Sequence, residues 1–269
     1  MEIHIGASSN LSKILSKNKK SIIKISSKKD KNILKINYNN LSSIKKIIEN
    51  KNISYYIFFL GKNFKGRSTK KSLYINYKLP LKILNLLVKN KKRKIKTIFF
   101  GTFLENETST SENNQEYKSY KIRLRKKIIE LSKSNKFEFV WLKLPIIYGY
   151  NLKNKNFLNI LIQKIKNKEK IIIEYKYNTV YFLNITELGK IITNIKFNWL
   201  KYKNKIIVPN CEGPYYLFDL MKKIKNCINK KIQIKYKNKY KRNKIFSKNN
   251  INNFQVKKDL FKFIKNNVS

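Results

Sequence analysis

The first 145 residues alternate short runs of β-branched and aromatic residues with stretches whose apolar residues recur every three or four positions. A run of the first kind packs as a strand and one of the second kind buries a single helical face, so strict alternation calls for βαβ units around a parallel sheet. Strands are predicted at 2–5, 21–25, 33–36, 55–60, 96–100 and 139–144. The clearest helices are predicted at 41–49, 79–89 and 116–133. Six such strands make a doubly wound sheet of the α/β class, in which ligands sit at the carboxyl ends of the strands.

After Pro145 the rhythm changes. Helices are predicted at 157–168, 187–195, 217–228 and 258–265, with strands at 171–175, 205–208 and 231–236 and a polar, basic loop over 237–253. The division expected is a nucleotide-binding domain over 1–150 and a smaller C-terminal substrate lobe over 151–269, with 180–208 returning to the first domain. A chain of 269 residues has room for such a core plus a small lobe.

Charge is the obvious distraction. The 62 lysines and arginines outnumber the 15 aspartates and glutamates to give a net charge of +47, the kind of excess that phosphate backbones attract. Lysine, asparagine and isoleucine are, however, spread evenly through strands, helices and turns, as drift in an AT-rich genome produces, with no basic stripe or aromatic-studded block. No specific nucleic-acid partner is expected. The two cysteines, Cys211 and Cys227, lack metal-site spacing, so neither a metal nor a disulfide framework is expected. The one histidine, His4, lies inside the first predicted strand and reads as structural, which removes histidine-based nucleophilic catalysis. The first residues lack a signal peptide's features and no apolar run approaches the about 20 residues of a membrane span. A cytoplasmic protein without a membrane partner is expected.

Two local patterns carry chemistry. Gly6-Ala7-Ser8-Ser9-Asn10-Leu11-Ser12 follows the first strand and opens a helix, the place where a tight turn and a helix N-terminus receive a pyrophosphate. Tyr117 and Lys121 are four apart at the head of the long helix, hence on one face, where an ammonium can lower a phenol's pKa and make it a usable acid or base. Thr102 ends a predicted strand fifteen residues earlier. Lysine is so frequent that a Tyr-x-x-x-Lys match also arises by chance, as Tyr74 and Lys78 show, so the order of these features is what gives them weight.

In that order the chain resembles the extended short-chain dehydrogenase/reductase family, the NAD-dependent epimerase/dehydratase group acting on nucleotide sugars. Gly6-Ala7 resembles the opening of its glycine-rich loop, with Ser9 and Leu11 following within it; Asn37 stands near the adenine position; Leu60-Gly61 resembles its turn after the fourth strand, and Asn76 begins a helix as in the family. Thr102, Tyr117 and Lys121 are similar to its catalytic hydroxyl, tyrosine and lysine. Leu144-Pro145-Ile146-Ile147-Tyr148-Gly149 resembles its Leu-Pro-x-x-Tyr-Gly segment, and 182–188 its stretch ending in Asp-Asp-Leu. The resemblance implies a Rossmann fold, NAD or NADP bound by Gly6, Ala7, Ser9, Leu11, Asn37, Leu60, Gly61, Asn76, Lys121 and Pro145, a nucleotide-sugar substrate, and a homodimer as one assembly open to it.

Departures qualify this expectation. Ser9 and Ser12 replace glycines, Lys143 replaces a common arginine, Val180 replaces a substrate-binding arginine, and Phe103-Leu104 replace the Asp-Glu pair of similar dehydratases, which points away from dehydration and toward epimerisation or reduction. The second strand ends in Ser26-Ser27-Lys28-Lys29 without an acid to hold a ribose 2′-hydroxyl, a lean toward NADP. Two alternatives stand beside the enzyme: a catalytically decayed Rossmann-fold protein and a basic nucleic-acid-associated protein.

Overall fold

The predicted alternation is realised in chain order in the computed structural model, which describes residues 1–17, 21–28, 33–37, 41–49, 52–63, 69–90, 94–106, 112–134, 136–152, 156–228, 232–237, 251–252 and 256–268. The first elements are β1 (Glu2–Ile5), α1 (Asn10–Leu15), β2 (Ile22–Ser26), β3 (Leu34–Lys35), α2 (Ser42–Glu49), β4 (Tyr55–Phe58), α3 (Thr69–Leu73) and α4 (Leu79–Asn90). There follow β5 (Ile95–Thr102), α5 (Glu112–Ser132), β6 (Phe137–Leu144), β7 (Ile146–Tyr148), α6 (Phe157–Lys166), β8 (Ile171–Ile173) and β9 (Thr179–Asn184). The last are α7 (Ile185–Phe197), α8 (Trp199–Tyr202), β10 (Lys205–Pro209), β11 (Glu212–Tyr216), α9 (Leu217–Cys227), β12 (Ile234–Tyr236) and α10 (Leu260–Val268). The polar segment expected over 237–253 falls almost wholly outside the described residues.

Two units divide the chain: Met1–Glu105, Thr110–Lys143 and Asn194–Val208 form the first, and Asn106–Ser109, Leu144–Thr193 and Pro209–Ser269 the second. In the first unit, seven strands make a parallel sheet in the order β10-β6-β5-β4-β1-β2-β3. Its neighbours run in register, with Ile3 opposite Ile23 on one side and Tyr56 on the other. This is a doubly wound Rossmann sheet, and its order reverses between β1 and β4, the switch point whose carboxyl ends form a crevice. The seventh strand is the one predicted at 205–208: Lys205–Pro209 pairs in parallel with β6, Ile207 facing Leu142, and of the 180–208 segment it is Asn194–Val208 that belongs to the first unit. Strands buried on both faces read as continuous apolar runs, and β6 is buried at every residue. Its one acid, Glu138, accepts from Trp199 Nε1 at 2.6 Å and Lys203 Nζ at 3.1 Å, so burial leaves it paired.

The sheet packs Phe58, Phe99 and Trp141 against Ile83, Leu84 and Leu87 of α4 and Leu124 and Ile128 of α5. Between α3 and α4 lies a π-turn, Tyr74–Lys78, where the Leu79 amide reaches Tyr74 O. Pro80 follows directly and has no N–H for the carbonyl four residues back, a sufficient reason for the helical ladder to widen there.

The second unit has a three-stranded sheet, β11-β9-β7, and a β12-β8 pair. Tyr148, Leu158, Phe182, Leu220, Met221 and Phe263 share its core. A cavity of about 700 Å³ lies among the 149–152 turn, α6 and α10, and none of the predicted site residues lines it. Among the described residues, no helix is long and apolar enough to cross a membrane.

Candidate functional site

Lys121 is the centre of the site. Its position on α5 carries the ammonium to the carboxyl ends of β4 and β5, where Nζ donates to Leu60 O at 3.2 Å and Phe100 O at 2.9 Å. The residue is only 3 % exposed. Burial lowers its pKa to about 8, with the negative charge of Glu105 opposing the fall. Tyr117, one helical turn earlier, puts its ring centroid 5.8 Å from the same nitrogen, so the predicted four-residue pairing is real. Its electrostatic consequence differs from expectation. Burial, reinforced by Glu105, pushes the Tyr117 phenol above its ordinary value, opposite to the lowering that the spacing implies.

Gly61 and Asn76 close round the lysine. A Cβ on Gly61 would lie 2.7 Å from Lys121 Nζ and 3.4 Å from Asn76 Oδ1, and its φ of +142° also disfavours any side chain. Asn76, fully buried in the π-turn, accepts from Lys62 N at 2.8 Å and donates to Lys62 O at 2.9 Å and Ser72 Oγ at 3.2 Å. The amide side chain thus fixes the backbone just after Gly61. Thr102 ends β5 two residues beyond Phe100; its hydroxyl accepts from Leu104 N at 3.3 Å and its amide donates to Glu105 Oε1 at 3.0 Å.

The first strand-to-helix turn supplies the other half. Gly6 has φ +80°, and the amides of Gly6 and Ala7 both bond Ile25 O, locking the turn to β2. Ser9 is the N-cap of α1, its hydroxyl accepting from Ser12 N at 3.2 Å. Ser12 occupies a position where close packing favours glycine, and its buried hydroxyl is met by His4 Nδ1 at 2.9 Å. At the tip of β2, Ser26 Oγ donates to Ser8 Oγ at 2.7 Å and accepts from Lys28 N at 3.2 Å.

Nine of the twelve predicted site residues lie in the turns after β1 and β4, in the π-turn, at the end of β5 or on α5. Leu11 is half-buried within α1, and Asn37 is exposed after β3. Pro145 belongs to the second unit, between β6 and β7. Sequence reasoning passed over Glu105, whose Oε1 also accepts from Trp141 Nε1 at 3.1 Å and whose Oε2 accepts from Arg125 Nε at 2.8 Å. Its signal was scarcity: one of 15 acids, three residues past the end of a ligand-side strand.

The residues fit a dinucleotide. A positive-φ glycine opens the first turn, a second glycine clears the lysine, and the β2 tip carries no carboxylate, its Ser26 hydroxyl being tied to Ser8 Oγ and Lys28 N. Fold and site define an α/β protein of the dinucleotide-binding, doubly wound class. Residues 7–187 match the NAD-dependent epimerase/dehydratase family, and the chain belongs to it. No curated protein matches the sequence. Among solved structures, UDP-N-acetylglucosamine 4-epimerase from Methanobrevibacter ruminantium M1, in complex with UDP-N-acetylmuramic acid, is similar at 14 % identity and TM-score 0.77, over 99 % of this chain and 96 % of that one. The UDP-glucose 4-epimerase of Thermotoga maritima with UDP-glucose gives 13 % and 0.72 over 100 % and 97 %. RMD from Pseudomonas aeruginosa complexed with NADPH gives 10 % and 0.74 over 99 % and 97 %. At these identities the likeness is one of fold.

Proposed function

We propose that the chain is an NAD(P)-dependent epimerase or reductase acting on a nucleotide sugar, with NADP the favoured cofactor. The observation that carries this reading is Lys121, anchored on two strand-end carbonyls with the Tyr117 ring against it, in a chain of this family. The bound nicotinamide would supply hydride acceptance or donation. Tyr117 would exchange a proton between its phenol oxygen and a sugar hydroxyl or ketone. Lys121 would bring positive charge to that phenol and hold the nicotinamide ribose. Thr102 would hydrogen-bond the reacting oxygen. The turn through Gly6, Ala7 and Ser9 would border the pyrophosphate, and the exposed Lys28, with no acid at the β2 tip beside it, would meet the ribose 2′-phosphate, which is the basis of the NADP preference. The second unit would hold the nucleotide sugar.

Calorimetric titration with NADPH and NADH tests the cofactor; saturable binding in the micromolar range, tighter for NADPH, is expected. Absence of saturation at millimolar cofactor would favour the decayed reading, toward which the self-capped, six-residue helix α1 points. Turnover is then sought on a panel of uridine and guanosine diphosphate hexoses. Tyr117→Phe should keep cofactor affinity and lose roughly 10²–10⁴-fold in turnover, the scale of a lost acid–base group. Unchanged turnover in Tyr117→Phe defeats the assignment.

A further inference from the structure

The end of β5 is pinned from both sides. Lys121 Nζ holds the Phe100 carbonyl at 2.9 Å, and two residues on, Glu105 Oε1 holds the Thr102 amide at 3.0 Å. Between them stands Gly101, where a Cβ would collide with both Trp141 Nε1 and Glu105 Oε1, so only glycine lets the indole and the carboxylate close on the strand. The Glu105 side chain is wholly buried, while its partner Arg125 is 19 % exposed. A buried carboxylate persists only with its lone pairs taken and its charge opposed, and this one accepts from three donors: the Thr102 amide, Trp141 Nε1 and Arg125 Nε.

The charges arrayed about it come from two elements. Arg125 and Lys121 lie one turn apart on α5, and Lys143 lies on β6; the charge of Glu105 acts on Lys121 and Lys143, and it also acts on the Tyr117 phenol. One carboxylate therefore faces three cations and the proposed proton carrier, without itself occupying the place of a reactant.

The geometry assigns Glu105 the role of a positioning residue: its buried carboxylate fixes the strand end that presents Thr102 and supplies the counter-charge against which Lys121 grips the Leu60 and Phe100 carbonyls. Its consequence for turnover rests on the acid–base reading given above; its effect on Lys121 does not.

The test uses the full chain labelled with ¹³Cε-lysine. The Lys121 signal is the one lost in Lys121→Arg, and in the parent it should titrate near pH 8. In Glu105→Gln the midpoint should fall by about one pH unit, because a neighbouring opposite charge has been removed. In Trp141→Phe, which keeps the carboxylate and loses one donor, the midpoint should stay within a few tenths. A stationary midpoint in Glu105→Gln overturns the assignment. Should Glu105→Gln fail to fold, Glu105→Asp decides: it keeps the charge but is one methylene short, so turnover should drop roughly tenfold with NADPH affinity held, and parent-like turnover overturns the proposal. If Tyr117→Phe retains activity while the midpoint moves as stated, the acid–base reading falls and Glu105 keeps its role. The converse pattern, an inactive Tyr117→Phe with an unmoved midpoint, removes Glu105 and leaves the reading intact.

Discussion

Glu2 in the first unit and Glu212 in the second are both buried, at 8 % and 1 % exposed, and are held in opposite ways. Glu2 accepts from His4 Nε2 at 3.2 Å and from Lys196 Nζ at 2.6 Å. Burial alone would raise its pKa, but these partners bring it down to about 2. Glu212 meets the Tyr148 phenol on one oxygen and the Leu260 amide, at 3.1 Å, on the other. The same phenol also bonds Asp259, a second acid. Here burial wins, and Glu212 is raised. A phenol has one proton to give and cannot donate to two carboxylates at once. The arrangement closes when Glu212 is protonated and donates to the phenol oxygen while the phenol donates to Asp259, which also accepts from Asn184 Nδ2 at 3.1 Å. The first unit buries a charge and compensates it; in the second, burial outweighs the hydrogen bonds and raises the acid. Lysine abundance alone does not dictate how an acid is buried.

Removing a partner should expose this contrast most strongly. Lys196→Met leaves Glu2 buried with His4 alone, and breaking a buried ion pair from one side costs about 3–5 kcal/mol. Asp259→Asn takes one acid from an acid pair and should cost less than about 1 kcal/mol, since the amide oxygen still accepts from Tyr148. Urea denaturation of both variants at neutral pH provides the comparison. Equal losses would mean that Glu2 and Glu212 are not different kinds of site.

Acid titration sharpens it further. Because the Glu2 pKa is depressed in the fold, its contribution is present above the ordinary carboxyl value of about 4.5 and is lost as pH falls toward 2. A shift of that size corresponds to about 3 kcal/mol. Glu2→Gln should therefore flatten the fall in stability between pH 4.5 and 2, followed by denaturant midpoints at successive pH values. A variant that loses stability in acid as steeply as the parent contradicts the pairing.

The difference between the units also explains what could be read from the sequence. Strands β5 and β6 are buried on both faces, so Ile98-Phe99-Phe100 and Phe139-Val140-Trp141-Leu142 appear as unbroken apolar runs. In the second unit, β7 has three residues and β11 contains Gly213-Pro214, a pair that reads as a turn; β9 went unassigned as a strand although its apolar run is plain. Tyr117 and Lys121 were legible because a four-residue spacing survives any placement of the helix. Glu105 was not, because its partners Arg125 and Trp141 lie 20 and 36 residues away and are gathered only by the fold. Ser12 looked like a defect in a glycine-rich loop. Its hydroxyl is instead matched by His4, a compensation eight residues upstream that a motif comparison does not see.

The smallest effect is the most discriminating, because it should carry the opposite sign to the usual loss of a buried acid. With a folded pKa above the ordinary value near 4.5, Glu212 contributes its full stability below that value and loses it as pH rises through the elevated folded pKa. Glu212→Gln imitates the protonated acid: the amide N–H can donate to the Tyr148 oxygen, and the amide oxygen can accept from Leu260 N. At pH 5 the variant and the parent should agree within about 1 kcal/mol, the net worth of one hydrogen bond. At pH 8 the variant should be the more stable of the two, since it never has to place a charge beside Asp259. Urea unfolding at the two pH values, in parallel with Tyr148→Phe, reads this directly. In Tyr148→Phe the two acids lose the hydroxyl between them, so the fall in stability from pH 5 to pH 8 should steepen. A Glu212→Gln variant that is destabilised more at pH 8 than at pH 5 would show that Glu212 is held as a carboxylate after all, and the second unit would then bury its acids as the first one does.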